Sequence, residues 1–199
     1  MRVSDTKDLL CTSIPWQIIK RLRRETGSMN HDAALDEAVA DYARRNDLTD
    51  AQQNAFETLT RWHNAIGDRD LNRLKAMMDK DIVIELPFNE SGKTDTESYR
   101  IYTGVEECVL FWQVAFTAEG TLHGISEIDL TIDGTGSRIF LECRGHLTMA
   151  NGREYRNRYV MRLDQLDGRI LRCKEYYNPI QSAYAFGRPI AGQFVLEHL

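Results

Sequence analysis

Residues 139–187, IFLECRGHLTMANGREYRNRYVMRLDQLDGRILRCKEYYNPIQSAYAFG, determine the fold that the sequence predicts. Three strand-like runs are separated by Asn-Gly at 151–152 and by Asp-Gly at 167–168. Both dipeptides tolerate the positive φ angles of tight hairpin turns, and Pro179 ends the last run because proline cannot donate to a sheet ladder. The stretch therefore predicts a three-stranded antiparallel meander, which needs other elements to cover one of its faces.

The sequence upstream of this meander supplies the cover. Apolar periodicity predicts a helix that begins at residue 49 or 50 and ends near 67, and a short helix follows the polar break at 68–70. A strand is predicted at 82–87, a helix after Gly104, and a further strand at 121–133. Helices come early and strands late, which is typical of an α+β domain with its helices on one face of a curved antiparallel sheet. We place this domain at residues 49–199.

Residues 1–48 form a separate helical extension in the sequence pattern. A short strand at 9–14 would end at Pro15, and helices are predicted at 16–25 and at 32–45. This order resembles the ribbon-helix-helix DNA-binding proteins, in which paired strands from two protomers enter the major groove. Residues 1–50 hold nine acidic and eight basic residues, a poor balance for phosphate binding. A cap on the main domain or on a dimer partner is favoured over DNA binding, which stays open.

Composition and motifs limit the classes of function. The net charge of -5 disfavours a broad surface for nucleic acid or anionic membranes, and no apolar run reaches the roughly 20 residues that span a bilayer. No secretory signal is recognisable, and the four cysteines stand singly, so we expect a cytoplasmic protein with reduced thiols. No phosphate-binding glycine loop, metal triad or activated serine motif is present, and we therefore expect neither a cofactor nor a metal.

Several motifs within residues 52–190 resemble the SnoaL-like, or nuclear transport factor 2-like, superfamily. The segment RWHNAIGDRDLNRLKAMMDKDIVIELP resembles its opening helix pair and first strand. The pieces FLECRGH, RNRYV, DGRI and EYYNP resemble the phenazine-biosynthesis A/B branch. This resemblance implies a cone-shaped sheet wrapped around helices, a small-molecule pocket and a homodimer. Members of the superfamily include steroid isomerases, polyketide cyclases and epoxide hydrolases.

The resemblance does not identify a reaction for this chain, because the catalytic positions of the known branches hold other residue types here. The base of the steroid isomerases falls on Leu86, the tyrosine that donates to the oxyanion falls on Trp62, and the second donor falls on Tyr159 or the residue after it. In the phenazine branch, a helix histidine and a strand glutamate are thought to act on the substrate. They fall on Phe111 and Arg156, which cannot take those roles.

Four residues are candidates for acid-base catalysis. Glu142 and Glu175 are the best carboxylates, because desolvation inside an apolar cone would raise their pKa values toward neutrality. A structural ion pair with a strand arginine is the favoured alternative for both. His146 is a candidate because histidine titrates near neutrality, and His63 because it lies on the apolar face of the first helix, but each is more simply explained as a structural histidine.

Aromatic and polar residues are candidates for substrate binding. Tyr159, Tyr177 and Trp62 can each donate a hydrogen bond to a carbonyl oxygen, and three aromatic residues after Gly104 can form a wall against a ring-shaped ligand. Core packing explains the same residues, and a one-residue slip of strand register would reverse which side chains face inward. The predicted substrate-binding set is Trp62, Leu86, Phe111, Trp112, Phe116, Arg158, Tyr159 and Tyr177.

Two functions remain open at this point. The first is a cofactor-free acid-base enzyme of isomerase, cyclase or dehydratase type that acts on an apolar cyclic metabolite. The alternative is a non-catalytic module that binds a ligand and dimerises. Such a module could act as a regulator if residues 1–48 bind DNA.

Overall fold

The computed structural model describes residues 33–189 of the 199-residue chain. The helices of this part are α1 (Ala33–Arg45), α2 (Asp50–Gly67), α3 (Leu71–Met77), α4 (Gly104–Ala118) and α5 (Pro179–Phe186). The strands are β1 (Met78–Leu86), β2 (Arg100–Thr103), β3 (Glu119–Ile132), β4 (Arg138–Met149), β5 (Glu154–Leu166) and β6 (Arg169–Tyr177). The strand predicted at 9–14 and the helix predicted at 16–25 lie outside the described residues.

Local capping explains where the helices begin. Thr49 and Gln52 form a capping box at the start of α2, in which the Thr49 hydroxyl accepts from the Gln52 amide and the Thr49 amide donates to the Gln52 side chain. The Asp70 carboxylate caps α3 by accepting a hydrogen bond of 3.0 Å from the Arg73 amide. The polar break predicted at 68–70 is therefore a cap between two helices.

The strands form one six-stranded sheet in the order β2-β1-β6-β5-β4-β3. The α+β prediction is confirmed, and the predicted hairpins join β4 to β5 and β5 to β6. Positive φ angles at Gly152, Asp167 and Gly168 show why those turns use Asn-Gly and Asp-Gly. One pairing differs from an all-antiparallel sheet: β1 runs parallel to β6, because the chain between them crosses over instead of turning in a hairpin.

The sheet packs its inner face against the helices. Burial alternates along β4, so that Leu141 and Cys143 are buried while Phe140 and Glu142 are exposed. The β4–β5 register pairs Cys143 with Tyr159, which puts the odd-numbered residues of both strands on the inner face. Helix α1, predicted to belong to the extension, also joins this core and packs against β3 and α2.

Two elements of the fold have only weak signals in the sequence. The short edge strand β2 follows a polar loop, and α5 follows the Asn-Pro that ends β6. The Asn178 side chain accepts hydrogen bonds from the amides of Ile180 and Gln181, and Pro179 occupies the first turn, so the same dipeptide ends a strand and begins a helix. Helix α5 packs on β5, where Phe186 meets the Tyr155 ring at 5.8 Å.

The cysteines of the described part, at 108, 143 and 173, are buried. None of the helices between residues 33 and 189 is long and apolar enough to cross a membrane.

Candidate functional site

A cavity of about 340 Å³ lies between the inner face of the sheet and helices α2, α4 and α5. Its wall is mainly apolar, with Leu86, Phe111, Trp112, Leu147 and Met161 among the lining residues. A volume of this size suits a small organic molecule, and a mainly apolar wall with few polar groups is typical of ligand sites.

Glu175 of β6 presents a carboxyl group to this cavity. It lies deep in the protein, and its side chain stays partly accessible because it borders the cavity. Burial, and secondarily the negative charge of Glu119, raise the pKa of Glu175 from 4.5 to about 7. Within residues 33–189 no side chain donates a hydrogen bond or forms an ion pair to it, so both of its protonation states are populated near neutral pH.

Glu119 brings a second carboxyl group to the cavity wall at the start of β3. Burial raises its pKa, and the positive charge of Arg69 opposes that rise. The Arg69 guanidinium also donates to the carbonyl of Gly120, which holds it beside Glu119. The two carboxyl groups interact, so a proton bound by one affects the other.

His63 of α2 lines the same cavity as a neutral imidazole. Burial lowers its pKa from 6.5 to about 4, so the ring carries no charge at physiological pH. A neutral imidazole donates one hydrogen bond and accepts another, which suits it to hold a carbonyl oxygen or to pass a proton.

We expect the imidazole of His63 to remain neutral throughout the physiological pH range. Its ring nitrogen chemical shifts, followed by NMR, should not titrate above about pH 5, because the folded-state pKa is about 4. A His63 midpoint near 6.5 would contradict the burial of this side chain.

Three tyrosines add hydroxyl groups to the wall: Tyr155, Tyr159 and Tyr177. Burial is the main cause that raises the pKa of each, so all three are protonated donors at neutral pH. Gly145 makes room for one of them, because a Cβ atom at that position would lie 2.8 Å from a ring carbon of Tyr159. The absence of a side chain at residue 145 thus lets the Tyr159 ring lie across β4.

The predicted aromatic wall is present, but its members have different positions. Phe111 and Trp112 line the cavity, with ring centroids 5.1 Å apart. Phe116 and Trp62 pack behind Trp112, at centroid distances of 5.6 Å and 6.0 Å. Trp62 is only 1% exposed, so its role in the structure is to support the wall.

Most of the predicted site residues line the cavity, although they lie far apart in the sequence. Those that line it are His63, Leu86, Phe111, Trp112, Tyr159, Glu175 and Tyr177.

Glu142, His146 and Arg158 do not face the cavity. As even-numbered residues of β4 and β5, they project from the outer face of the sheet. Glu142 is exposed to solvent, the His146 ring hydrogen-bonds to the carboxylate of Glu154 at 2.6 Å, and Arg158 pairs with Glu127. These three predicted site residues are left out of the site described below.

Three charged residues of the cavity were not predicted: Arg100, Glu119 and Arg188. Glu119 comes directly after α4, and the hydropathy pattern does not change at that point. The two arginines lie on the short strand β2 and just after α5. Because the sequence pattern predicts neither of those elements, it does not predict that the two arginines lie close together.

One cluster in the described part could hold a metal ion, and it lies on the outer face. Ligand atoms of His123, His146 and Glu154 all lie within 4.8 Å of one another. The two imidazole rings stack at 4.3 Å, and both are already hydrogen-bonded, His123 to Thr148 and His146 to Glu154. Hydrogen bonding accounts for this cluster without an ion.

Comparison with known proteins agrees with the fold. A family model described as a SnoaL-like domain matches residues 59–173. The chain belongs to the SnoaL-like family. The predicted resemblance is thereby confirmed for the domain, whereas residues 1–48 lie outside the match and the ribbon-helix-helix resemblance gains no support from it.

Relatives of this SnoaL-like protein share its fold at low sequence identity. The uncharacterised protein YesE of Bacillus subtilis strain 168 is 24% identical over 137 residues, which cover 68% of this chain and 88% of YesE. A candidate isomerase from Bacillus subtilis has a TM-score of 0.61 and 19% identity, over 72% of this chain and all of its own. A phenazine biosynthesis-related protein from Pseudomonas aeruginosa has a TM-score of 0.57 and 21% identity, over 75% and 94% of the two chains.

Proposed function

We propose that this SnoaL-like protein is a cofactor-free enzyme that moves a proton on an apolar cyclic small molecule, in a reaction of isomerase or cyclase type. The observation that carries the proposal is the carboxyl group of Glu175, which borders an apolar cavity and has a pKa of about 7. A general base is most effective when its pKa lies near the working pH. Apolar walls of this kind accept a hydrophobic ring system.

The cavity residues suggest a sequence of proton movements. The Glu175 carboxylate would take a proton from a carbon next to a carbonyl group, leaving an enolate. The hydroxyl groups of Tyr159 and Tyr177, protonated because burial raises their pKa values, would donate hydrogen bonds to the enolate oxygen. Glu175 would then return the proton to another carbon of the same ligand. In a ring closure, the enolate carbon would instead attack a second carbonyl carbon of that ligand, the C=O π bond would break, and Glu175 would give its proton to the resulting alkoxide oxygen. His63 would serve as a neutral hydrogen-bonding group.

The named relatives support the class of reaction but not a substrate. One is a candidate isomerase from Bacillus subtilis, and another is a candidate polyketide cyclase from Xanthomonas campestris, with a TM-score of 0.54 over 68% of this chain. At 19% identity for both, the shared property is the fold, and what those proteins act on remains theirs.

Exchange of carbon-bound hydrogen for deuterium tests this proposal without knowledge of the natural substrate. The α-hydrogens of 2-tetralone, a bicyclic ketone, can be followed by proton NMR in deuterated buffer with the full-length protein. We expect exchange faster than in buffer alone, with a protein-dependent rate that is half-maximal near pH 7, because Glu175 must be ionised to act as a base. A protein-dependent rate of zero for 2-tetralone and for related cyclic ketones would contradict the proposal.

The alternative function is a non-catalytic module that binds a ligand and dimerises. Phe140 and Val160 favour dimerisation, because each is 43% exposed on the outer face of the sheet. Sedimentation velocity measures the predicted homodimer directly. Ligand binding without any hydrogen exchange would favour this alternative, and DNA binding through residues 1–48 would then be tested by gel retardation at low salt. A cytoplasmic location remains a prediction.

A further inference from the structure

Two arginines at one end of the cavity share a single carboxylate. Arg100 of β2 and Arg188, which follows α5, both line the cavity, and both pair with Glu90. Arg188 Nη1 lies 3.2 Å from Glu90 Oε1, and the Arg100 guanidinium contacts the other oxygen. The arginine side chains are 31% and 37% exposed, whereas Glu90 is 9% exposed. The cluster therefore carries one net positive charge, and its accessible groups are cationic.

The positive charge of this cluster acts on the cavity wall. Burial raises the pKa of Tyr177, and the charges of both Arg100 and Arg188 oppose that rise, so both guanidinium groups lie close to this phenol. The Arg188 guanidinium also lies over the Phe186 ring at 4.4 Å, which restrains its orientation. Phe186 and Tyr177 both line the cavity, so this cationic end is continuous with the apolar space.

Glu175 does not neutralise the net positive charge of the cluster formed by Arg100, Arg188 and Glu90. The causes that shift its pKa are burial and Glu119, and neither arginine is among them. The cavity side of these partly exposed guanidinium groups is less well hydrated than it would be in water, which favours an anion there. Each guanidinium has five N–H donors, of which Glu90 can occupy only some, so donors remain for a second anion.

We propose that the ligand of this cavity carries a carboxylate, which binds Arg100 and Arg188 while its apolar body lies against Phe111 and Trp112. The inference rests on the proposed function, since it concerns the same cavity. A carboxylate matches both the single net positive charge of the cluster and the planar fork of guanidinium donors. A phosphate dianion would leave an uncompensated negative charge.

Calorimetric titration with a matched pair of probes tests this inference. The probes are 2-naphthoate and 2-naphthamide, which have the same ring system and differ in charge. The wild-type protein should bind naphthoate at least about tenfold more tightly than naphthamide, which is the discrimination expected of a charge-assisted hydrogen bond. Arg100→Gln and Arg188→Gln should each lose most of this preference and keep their affinity for naphthamide. Arg156→Gln, on the exposed outer face, is the matched control and should behave as the wild type.

The possible outcomes separate this inference from the proposed function. Equal affinity of the wild-type protein for both probes would overturn the carboxylate site, as would tighter binding of 2-naphthyl phosphate than of naphthoate. Retention of the preference in both arginine variants would also overturn it. Hydrogen exchange on 2-tetralone, which has no charge, tests the proposed function independently. If Arg100→Gln does not fold, as judged by circular dichroism, the more exposed Arg188→Gln decides the question.

Discussion

Replacement of Glu175 by glutamine is expected to slow protein-dependent hydrogen exchange on 2-tetralone by about 10²- to 10⁴-fold, the range that a general base contributes. Glutamine keeps the shape of the side chain but cannot accept the proton. The affinity for the ketone should change little, because the apolar walls from Phe111 and Met161 remain in place. Exchange rates measured by proton NMR at pH 8, together with calorimetric binding, separate the two effects.

Glu142→Gln is the matched control for this experiment. Glu142 is a strand carboxylate like Glu175, but it is exposed on the outer face of the sheet. The rate of hydrogen exchange with Glu142→Gln should equal that with the wild type. The assignment of Glu175 as the base would be excluded if the two variants exchanged hydrogen at the same rate.

The same Glu175→Gln variant is expected to be more stable than the wild type at high pH, by roughly 3 kcal/mol at pH 8. The folded-state pKa of Glu175 is about 7, and its ordinary value is 4.5, so the folded state binds the proton more tightly than the unfolded chain does. The wild type therefore loses stability as pH rises from about 4.5 to about 7. Glutamine does not ionise, so the variant avoids this loss. The free energy of unfolding, measured with urea from pH 4 to pH 8, gives the difference at each pH.

The free energy of unfolding of Glu175→Gln, measured against pH, should also show the titration of His63. Its folded-state pKa of about 4 lies below the ordinary 6.5, so the unfolded chain binds that proton more tightly and stability rises with pH between those values. In the wild type this rise opposes the loss caused by Glu175, and the two nearly cancel over their shared range. In Glu175→Gln only the rise should remain.

Parallel unfolding profiles for the wild type and Glu175→Gln would show that Glu175 titrates normally. A variant that gains stability while it loses activity is the usual sign of a group retained for function at a cost in stability. A structural ion pair would behave in the opposite way, because its removal would lower stability.

The sequence predicted the sheet well because its turns and strand alternation are local signals. Asn-Gly and Asp-Gly located both hairpins, and alternation along β5 put Tyr155, Tyr159 and Met161 on one face before the register was known. Local sequence signals could not predict which of Glu142 and Glu175 faces the cavity. That choice depends on how β4 and β6 align with β5, and a one-residue difference in register decides which carboxylate is inside.

The cationic end of the cavity could not be predicted for a different reason. Arg100 and Arg188 are far apart in the sequence, and both meet Glu90, which lies in a polar loop after β1. Their proximity depends on where β2 and α5 close the ends of the sheet. Neither element has the length or periodicity that identifies a strand or a helix from sequence alone.

The carboxyl carbon of Glu175, observed by carbon-13 NMR in the full-length protein, gives the most direct measurement of the central claim. Its chemical shift should titrate with a midpoint of about 7, because burial and the charge of Glu119 favour the protonated form. A Glu175 midpoint near the ordinary 4.5 would contradict the account of this cavity as a site of proton transfer.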